Sequence, residues 1–151
     1  MNAVLNESPA AASRFTKVSA DGADLPADAT EWVAVFDSSL NVLWARHAAP
    51  ERMNYADAKA YCENLELAGL KGWKLPDVEP LFLLADRSRH SPAIDTDYFP
   101  ECDGGWYWSA TLDAESPADC AWGVHFGYGL ANCYDQDGRY WVRACRPRQA
   151  I

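Results

Sequence analysis

The stretch GWYWSATLDAESPADCAWGVHFGYGLANCYDQDGRYWVRACRP, residues 105–147, decides how this chain is read. Aromatic residues, glycines and cysteines recur there in short extended runs separated by turn residues, which is the pattern of a compact β-rich unit. Runs at about 106–111, 120–127, 130–134 and 139–145 predict three or four strands. Gly127-Tyr128-Gly129 and Asp135-Gln136-Asp137-Gly138 supply the turns between them. Six of the seven tryptophans lie between Trp44 and Trp141, five of them from Trp73 onward. Large amphipathic rings concentrated in this way either build a core or contact a partner.

Upstream of that stretch, residues 88–105 hold prolines, acids and two glycines, and they read as a long loop of the kind that often carries function. Before the loop, Asp77 can cap a second helix, DVEPLFLLADRS, in which Pro80 is tolerated because it falls in the first turn. Trp73 to Pro76 is a short extended link. Asn54 is a good N-cap for a first helix, with Tyr55, Ala58, Cys62 and Leu65 recurring at three- or four-residue steps and Gly69 or Gly72 closing it. The second helix is expected to pack on the first. Trp32–Phe36 and Leu40–Trp44 flank Asp37-Ser38-Ser39 and predict a hairpin. The segment from Phe15 to Trp32 reads as an irregular lead-in with turns at Asp21-Gly22 and Leu25-Pro26. Residues 1–14 read as a flexible leader, and 15–151 as a single domain.

The order is hairpin, two helices, long loop, then meander. It lacks the strand–helix alternation of a doubly wound parallel sheet and points to an α+β fold with an antiparallel sheet. At 151 residues with 49% hydrophobic and 23% charged residues, the composition is that of a soluble globular protein. No apolar run approaches the roughly 20 residues that span a bilayer, so no membrane partner is expected. The start, MNAVLNESPAAASRF, lacks a basic region followed by an apolar run, so no secretory signal is read. The expected location is the cytoplasm, or carriage on a phage or a secreted assembly. A net charge of −9 argues against nucleic acid, since phosphate contacts need clustered bases. The one local basic group, Arg143, Arg146 and Arg148, reads as a strand end with solvated flanks. Acidity of this size suits a basic protein partner or cations.

The five cysteines, Cys62, Cys102, Cys120, Cys133 and Cys145, form no CxxC pair and lack the histidine spacing of a structural zinc site. An odd count fits reduced buried thiols at least as well as a disulfide framework.

Taken in order, several blocks resemble the Lcl C-terminal-domain family. They are Tyr55-Ala-Asp-Ala-Lys-Ala-Tyr-Cys62, Leu67-Ala-Gly69, Gly72-Trp-Lys-Leu-Pro76 with Glu79 and Leu81, Phe99-Pro100, Tyr107-Trp-Ser-Ala-Thr111, Ala121-Trp-Gly-Val-His-Phe126 and Tyr140-Trp-Val-Arg-Ala-Cys-Arg146. The resemblance implies a C-type-lectin-like fold related to formylglycine-generating enzymes. Two helices would pack on a small twisted antiparallel sheet, and the first and last strands would bring the termini together. It also places Cys62 and Cys145 where such folds commonly carry a disulfide, and makes a Cys120–Cys133 pair conceivable, with Cys102 left over. Function is less determined, because members of this fold serve as glycan or protein receptors and only in a minority as oxidases.

Within the blocks, Trp73, Leu75, Leu81, Trp108, Trp122, Val124, Phe126 and Val142 repeat as core positions do. Calcium would need carboxylates from Asp95, Asp97, Glu101 and Asp103 or from Asp135-Gln136-Asp137-Gly138, but the sugar-binding triplets of calcium-dependent lectins are absent. No cofactor is therefore expected. Oxidase chemistry would need a second cysteine close to Cys145, and none lies a few residues away. His47, His90 and His125 stand in unrelated contexts without a nucleophile motif, so no enzyme is expected. What remains is recognition of a protein or glycan by stiff rings with polar tips: Trp106, Tyr107, Tyr128, Asn132, Tyr134, Asp135, Arg139 and Tyr140, with the 88–105 loop as an adjacent rim. The competing reading is a small acidic, phage-type inhibitor or regulator of a macromolecule.

Overall fold

In the computed structural model, which describes residues 13–148, the short β-prone runs settle as seven strands around two helices. The order is β1 (Phe15–Val18), β2 (Ala34–Asp37), β3 (Val42–Ala45), α1 (Tyr55–Glu63), α2 (Val78–Leu84), β4 (Trp106–Leu112), β5 (Cys120–His125), β6 (Leu130–Asp135) and β7 (Cys145–Pro147). Every ladder between these strands is antiparallel, so the α+β expectation holds. The one small sheet that was expected is instead two, a four-stranded β1-β2-β3-β7 and a three-stranded β4-β5-β6.

The division follows from the last predicted strand. Of the run 139–145 and its continuation, only Cys145–Pro147 forms a ladder, against Val42–Trp44 of β3. The residues before it pair singly: Tyr140 with Met53, and Trp141 in parallel with Tyr107. This extended segment is the seam between the sheets. β1 and β7 lie on the two edges of one sheet with β2 and β3 between them, so the first and last strands share a sheet without pairing.

β1 replaces part of the expected irregular lead-in. Its letters, Phe-Thr-Lys-Val, hide a strand because a lysine stands at a buried position. Lys17 is accommodated there because its Nζ donates to the carbonyls of Ala27 and Ala29, each at 2.7 Å, and sits 4.0 Å from the Trp32 ring centroid. The leader expectation falls largely on residues 1–12, outside the described residues, but Arg14 is tied to the fold by a fork of 2.7 and 2.8 Å onto buried Asp37.

Asn54 caps α1 as expected, its side chain accepting from the Asp57 N–H at 2.9 Å. The helix ends at Glu63 rather than at Gly69 or Gly72. Leu67 and Leu70 exchange both backbone bonds at 3.0 Å around Ala68 and Gly69, whose φ values of 57° and 72° turn the chain sharply. Asp77 stands at the N-cap of α2 without making a capping bond, and the Val78 N–H donates instead to Thr111 Oγ1 at 2.9 Å. α2 packs on the three-stranded sheet rather than on α1. Their buried residues accordingly enter different clusters, Tyr55, Ala58 and Cys62 in one, Leu81 and Leu84 in the other.

Those two clusters straddle both sheets. Trp73, Trp108 and Val142 fill the first, and Trp44, Tyr107, Val124 and Phe126 the second. The 88–105 loop also walls the second, because Ile94 and Phe99 are fully buried and the Tyr98 carbonyl accepts from Trp32 Nε1 at 3.1 Å. Each fully buried tryptophan contributes on the order of 4–6 kcal/mol of area burial before the entropy of ordering is subtracted.

Candidate functional site

The register of β4, β5 and β6 sorts their side chains onto two faces. Trp106 lies opposite His125 and Trp108 opposite Gly123, while on the far side of β5 Gly123 faces Asn132 and Ala121 faces Tyr134. Alternation therefore puts Trp106, His125, Asn132 and Tyr134 on one face, and Tyr107, Trp122, Val124 and Ala131 on the other, toward α2. β5 offers only Gly123 and Ala121 between its outer neighbours, so rings from β4 and β6 close over it. A Cβ on Gly123 would stand 2.8 Å from the Tyr107 carbonyl oxygen and 3.8 Å from the Trp106 ring.

The result is a continuous strip of rings. Tyr128 stacks on His125 with centroids 5.3 Å apart and planes 7° from parallel, and His125 meets Trp106 edge-on at 4.9 Å. Trp106 meets Tyr134 at 4.8 Å, Tyr134 meets Tyr140 at 5.5 Å, and Tyr140 reaches Trp108 at 4.9 Å. Beside the strip, Arg52, Asp103, Gly105, Trp106, Tyr140 and Trp141 line a depression of about 340 Å³. Arg52 stands 5.8 Å from the Trp141 ring centroid, and the Asp103 Oδ1 accepts from the Gly105 N–H at 3.0 Å. The lack of a side chain at Gly105 lets the Trp141 ring approach, since a Cβ there would stand 3.3 Å from it.

Hydrogen bonding separates structural rings from free ones. Trp32, Trp44, Trp73 and Trp108 each donate their indole N–H to a protein oxygen. Among the described residues Trp106, Trp122 and Trp141 do not, nor do the hydroxyls of Tyr128, Tyr134 and Tyr140 make a bond. Rigid rings with unspent polar tips are what a ligand surface needs.

Of the residues expected at the site, Trp106, Tyr128, Asn132, Tyr134 and Tyr140 come together here. Tyr128 is the most open of the rings, 63% exposed. Tyr107 is not a contact residue. It is 1% exposed on the α2 face, and its hydroxyl donates to the Asp103 carbonyl at 2.9 Å while accepting the Asp103 N–H at 3.1 Å. Burial holds that phenol far above the usual tyrosine range, so it stays protonated and anchors Asp103 at the depression. Asp135 alternates away from the strip, and its Oδ1 accepts from the Asp137 N–H at 2.9 Å inside the turn. Arg139 is exposed just beyond Gly138, without an ion pair among the described residues. Sequence reasoning missed His125, Arg52, Asp103 and Trp141 as members. The apolar-polar alternation of β5 could have signalled His125, but Arg52 arrives only through the Met53–Tyr140 bridge. Trp122, expected in the core, is half-buried at the opposite surface.

The remaining candidates disperse. Arg143 is buried, Arg146 Nη1 donates to the Lys71 carbonyl, and Arg148 pairs with Asp24 at 2.8 Å, so the basic group forms no patch. In the acidic loop, Glu101 pairs with Arg46, and the Asp95 Oδ1 accepts from the Asp97 N–H at 3.0 Å. Among the described residues no three His, Cys, Asp or Glu side chains converge on one point. All five cysteines are free, and burial pushes the thiols of Cys62 and Cys145 up to about 12. No described helix is long and apolar enough to cross a membrane.

Comparison with curated proteins gives no match. The family model of the Lcl C-terminal domain matches residues 33–146, a span that runs from β2 through the ring strip to β7, and the chain belongs to that family.

Proposed function

We propose that this protein is a non-enzymatic recognition domain of C-type-lectin-like design that binds a protein or glycan through the ring strip Tyr128–His125–Trp106–Tyr134–Tyr140. The observation that carries the reading is that these rings touch in series while the Trp106 indole N–H and the hydroxyls of Tyr128, Tyr134 and Tyr140 make no hydrogen bond among the described residues; His125 Nδ1 accepts from the Gly127 N–H at 3.0 Å. The parallel Tyr128–His125 pair offers stacking area to a sugar face or to an apolar side chain, the edge-on rings beyond it extend the apolar surface, and Arg52 and Asp103 beside them offer a donor and an acceptor for hydroxyls or amides. The absence of catalysis is part of the proposal. It is supported by the burial of Cys145 and Cys62, which leaves neither thiol open to a substrate. Nucleic acid and membrane are not among the partners proposed, in keeping with the net charge of −9, and the compartment is taken to be the cytoplasm or an assembly that carries the protein.

A second reading, an acidic regulator of a macromolecule, is favoured by the grouping of Asp113, Asp119 and Asp135 around Cys120. A glycan array run beside affinity capture, with the Tyr128→Ala variant as control, tests the first reading. Binding of one glycan class or one protein that is lost in the variant supports it. Binding that the variant retains in full would move the site elsewhere.

A further inference from the structure

Three of the four outer strands have their outward side covered. Along β4, the Trp141 N–H donates to the Trp106 carbonyl and its carbonyl accepts from Trp108, both at 2.9 Å. On the outward side of β1 the Leu25 N–H donates to the Lys17 carbonyl at 2.8 Å and the Ser19 N–H to the Ala23 carbonyl at 2.9 Å, and Lys74 exchanges bonds with Cys145 of β7 at 2.8 and 2.9 Å. β6 has no such neighbour among the described residues. Its Cys133 N–H turns away from β5 to its own neighbour, Asn132 Oδ1, at 2.8 Å. By the two-residue period of an antiparallel ladder, Ala131 turns its backbone groups outward as well, and so does the Asp135 N–H, while the Asp135 carbonyl accepts from Gly138 in the turn at 2.9 Å. β6 also contains no lysine or proline, the residues that commonly blunt an open edge.

Beside this edge, on the face opposite the ring strip, α2 and the sheet leave an apolar groove of about 480 Å³. Val78, Phe82, Leu83, Trp122 and Ala131 line it, with Glu79 at its rim. Leu83 is 48% exposed. At the Asp135 end of the edge, Asp113 and Asp119 gather with Asp135 around Cys120, and none of the three makes an ion pair among the described residues.

We propose that the β6 edge takes up an extended segment of a partner protein as a fourth strand, with alternate apolar side chains in the α2 groove and basic residues at the Asp113–Asp119–Asp135 end. Outward N–H and C=O groups are matched by another peptide backbone, and the two-residue strand period sends every second side chain of the added segment toward the groove. Charge selects the partner. A chain of net charge −9 with carboxylates beside the edge that make no ion pair among the described residues repels a second copy of itself and attracts a cationic segment. The groove lies on the face opposite the ring strip, and although β6 also carries Asn132 and Tyr134 of that strip, Leu83→Ser and Tyr128→Ala test the two separately.

Panning a displayed library of random twelve-residue peptides against the full chain tests the proposal, with affinities of the selected peptides measured by calorimetry. Selected peptides should alternate apolar residues with Lys or Arg. They should lose about tenfold or more in affinity when alternate backbone nitrogens are methylated, because methylation removes ladder donors. In 15N-labelled protein their binding should shift the amides of Ala131, Cys133 and Asp135. Leu83→Ser and Ala131→Pro should each weaken binding by a similar factor. If Ala131→Pro does not fold, Leu83→Ser, which alters an exposed side chain, carries the comparison alone. The proposal is overturned by a panning that enriches no peptide, by peptides that bind the variants undiminished, by shifts confined to the ring strip, or by a dimer that forms through β6 instead.

Discussion

The rings of Trp106 and Tyr134 meet edge to face with centroids 4.8 Å apart, although their strands, β4 and β6, are separated by β5. The contact exists because Gly123 and Ala121 leave the middle strand low on that face. Gly123→Ala would press a methyl to 2.8 Å from the Tyr107 carbonyl, a backbone atom that cannot swing aside. The substitution should cost about 1–3 kcal/mol of unfolding free energy in urea and weaken the ring-to-ring NOEs between Trp106 and Tyr134.

Tyr128 and Tyr140 occupy the two ends of the same strip but differ in what they support. Tyr128 is exposed, so Tyr128→Ala should leave stability within about 0.5 kcal/mol while reducing ligand capture. Tyr140 packs on Trp108 and joins the first core cluster, so Tyr140→Ala should cost about 2 kcal/mol as well as binding. Thermal unfolding and capture, measured on both variants, separate the two. Equal destabilisation would count against the strip as a surface.

Arg143 is buried with its guanidinium 4.9 Å from the Phe99 ring centroid and its Nη1 donating to the carbonyls of Ala45 and Arg46. Arg143→Lys keeps the charge but not the planar fork, and should lower the unfolding free energy by about 2–3 kcal/mol. A lysine variant as stable as the parent would show that the carbonyl bonds contribute little.

Cys62 and Cys145 provide a pH signature. Below about pH 9 their thiols are protonated whether the chain is folded or not, and the stability this gives is fully present. Between about 9 and 12 the unfolded chain ionises while the fold holds its protons, so stability falls as pH rises, by up to about 1.4 kcal/mol per pH unit for each thiol. Urea titrations at pH 8, 9 and 10 should show this decline, and Cys62→Ala should make it shallower. In the native protein at pH 8, an alkylating reagent should label Cys120 and Cys133 well before either buried thiol.

Local rules account for the parts of the fold that were legible. The Asn54 cap, Pro80 in the first turn of a helix, the hairpin around Asp37 and the Asp135–Gly138 turn each depend on neighbours within a few residues. β1 was not legible because a buried lysine breaks its pattern, and that lysine is satisfied only by carbonyls ten and twelve residues away. The end of α1 was misplaced for a similar reason. Two positive-φ residues at Ala68 and Gly69 close a tight turn that no helical periodicity announces.

The site divides along the same line. From the sequence alone came the class of fold, the family blocks and the concentration of tyrosine and tryptophan in the last third, since those depend on residue type and spacing. Tertiary structure alone decided which rings are free. Tyr107 and Trp106 are adjacent in sequence, yet one hydroxyl is spent on Asp103 inside the core and the other ring lies in the open strip. Strand alternation sends neighbours to opposite faces, but which face is covered depends on where α2 and the Tyr140–Trp141 seam come to rest, and those contacts join residues far apart in the chain.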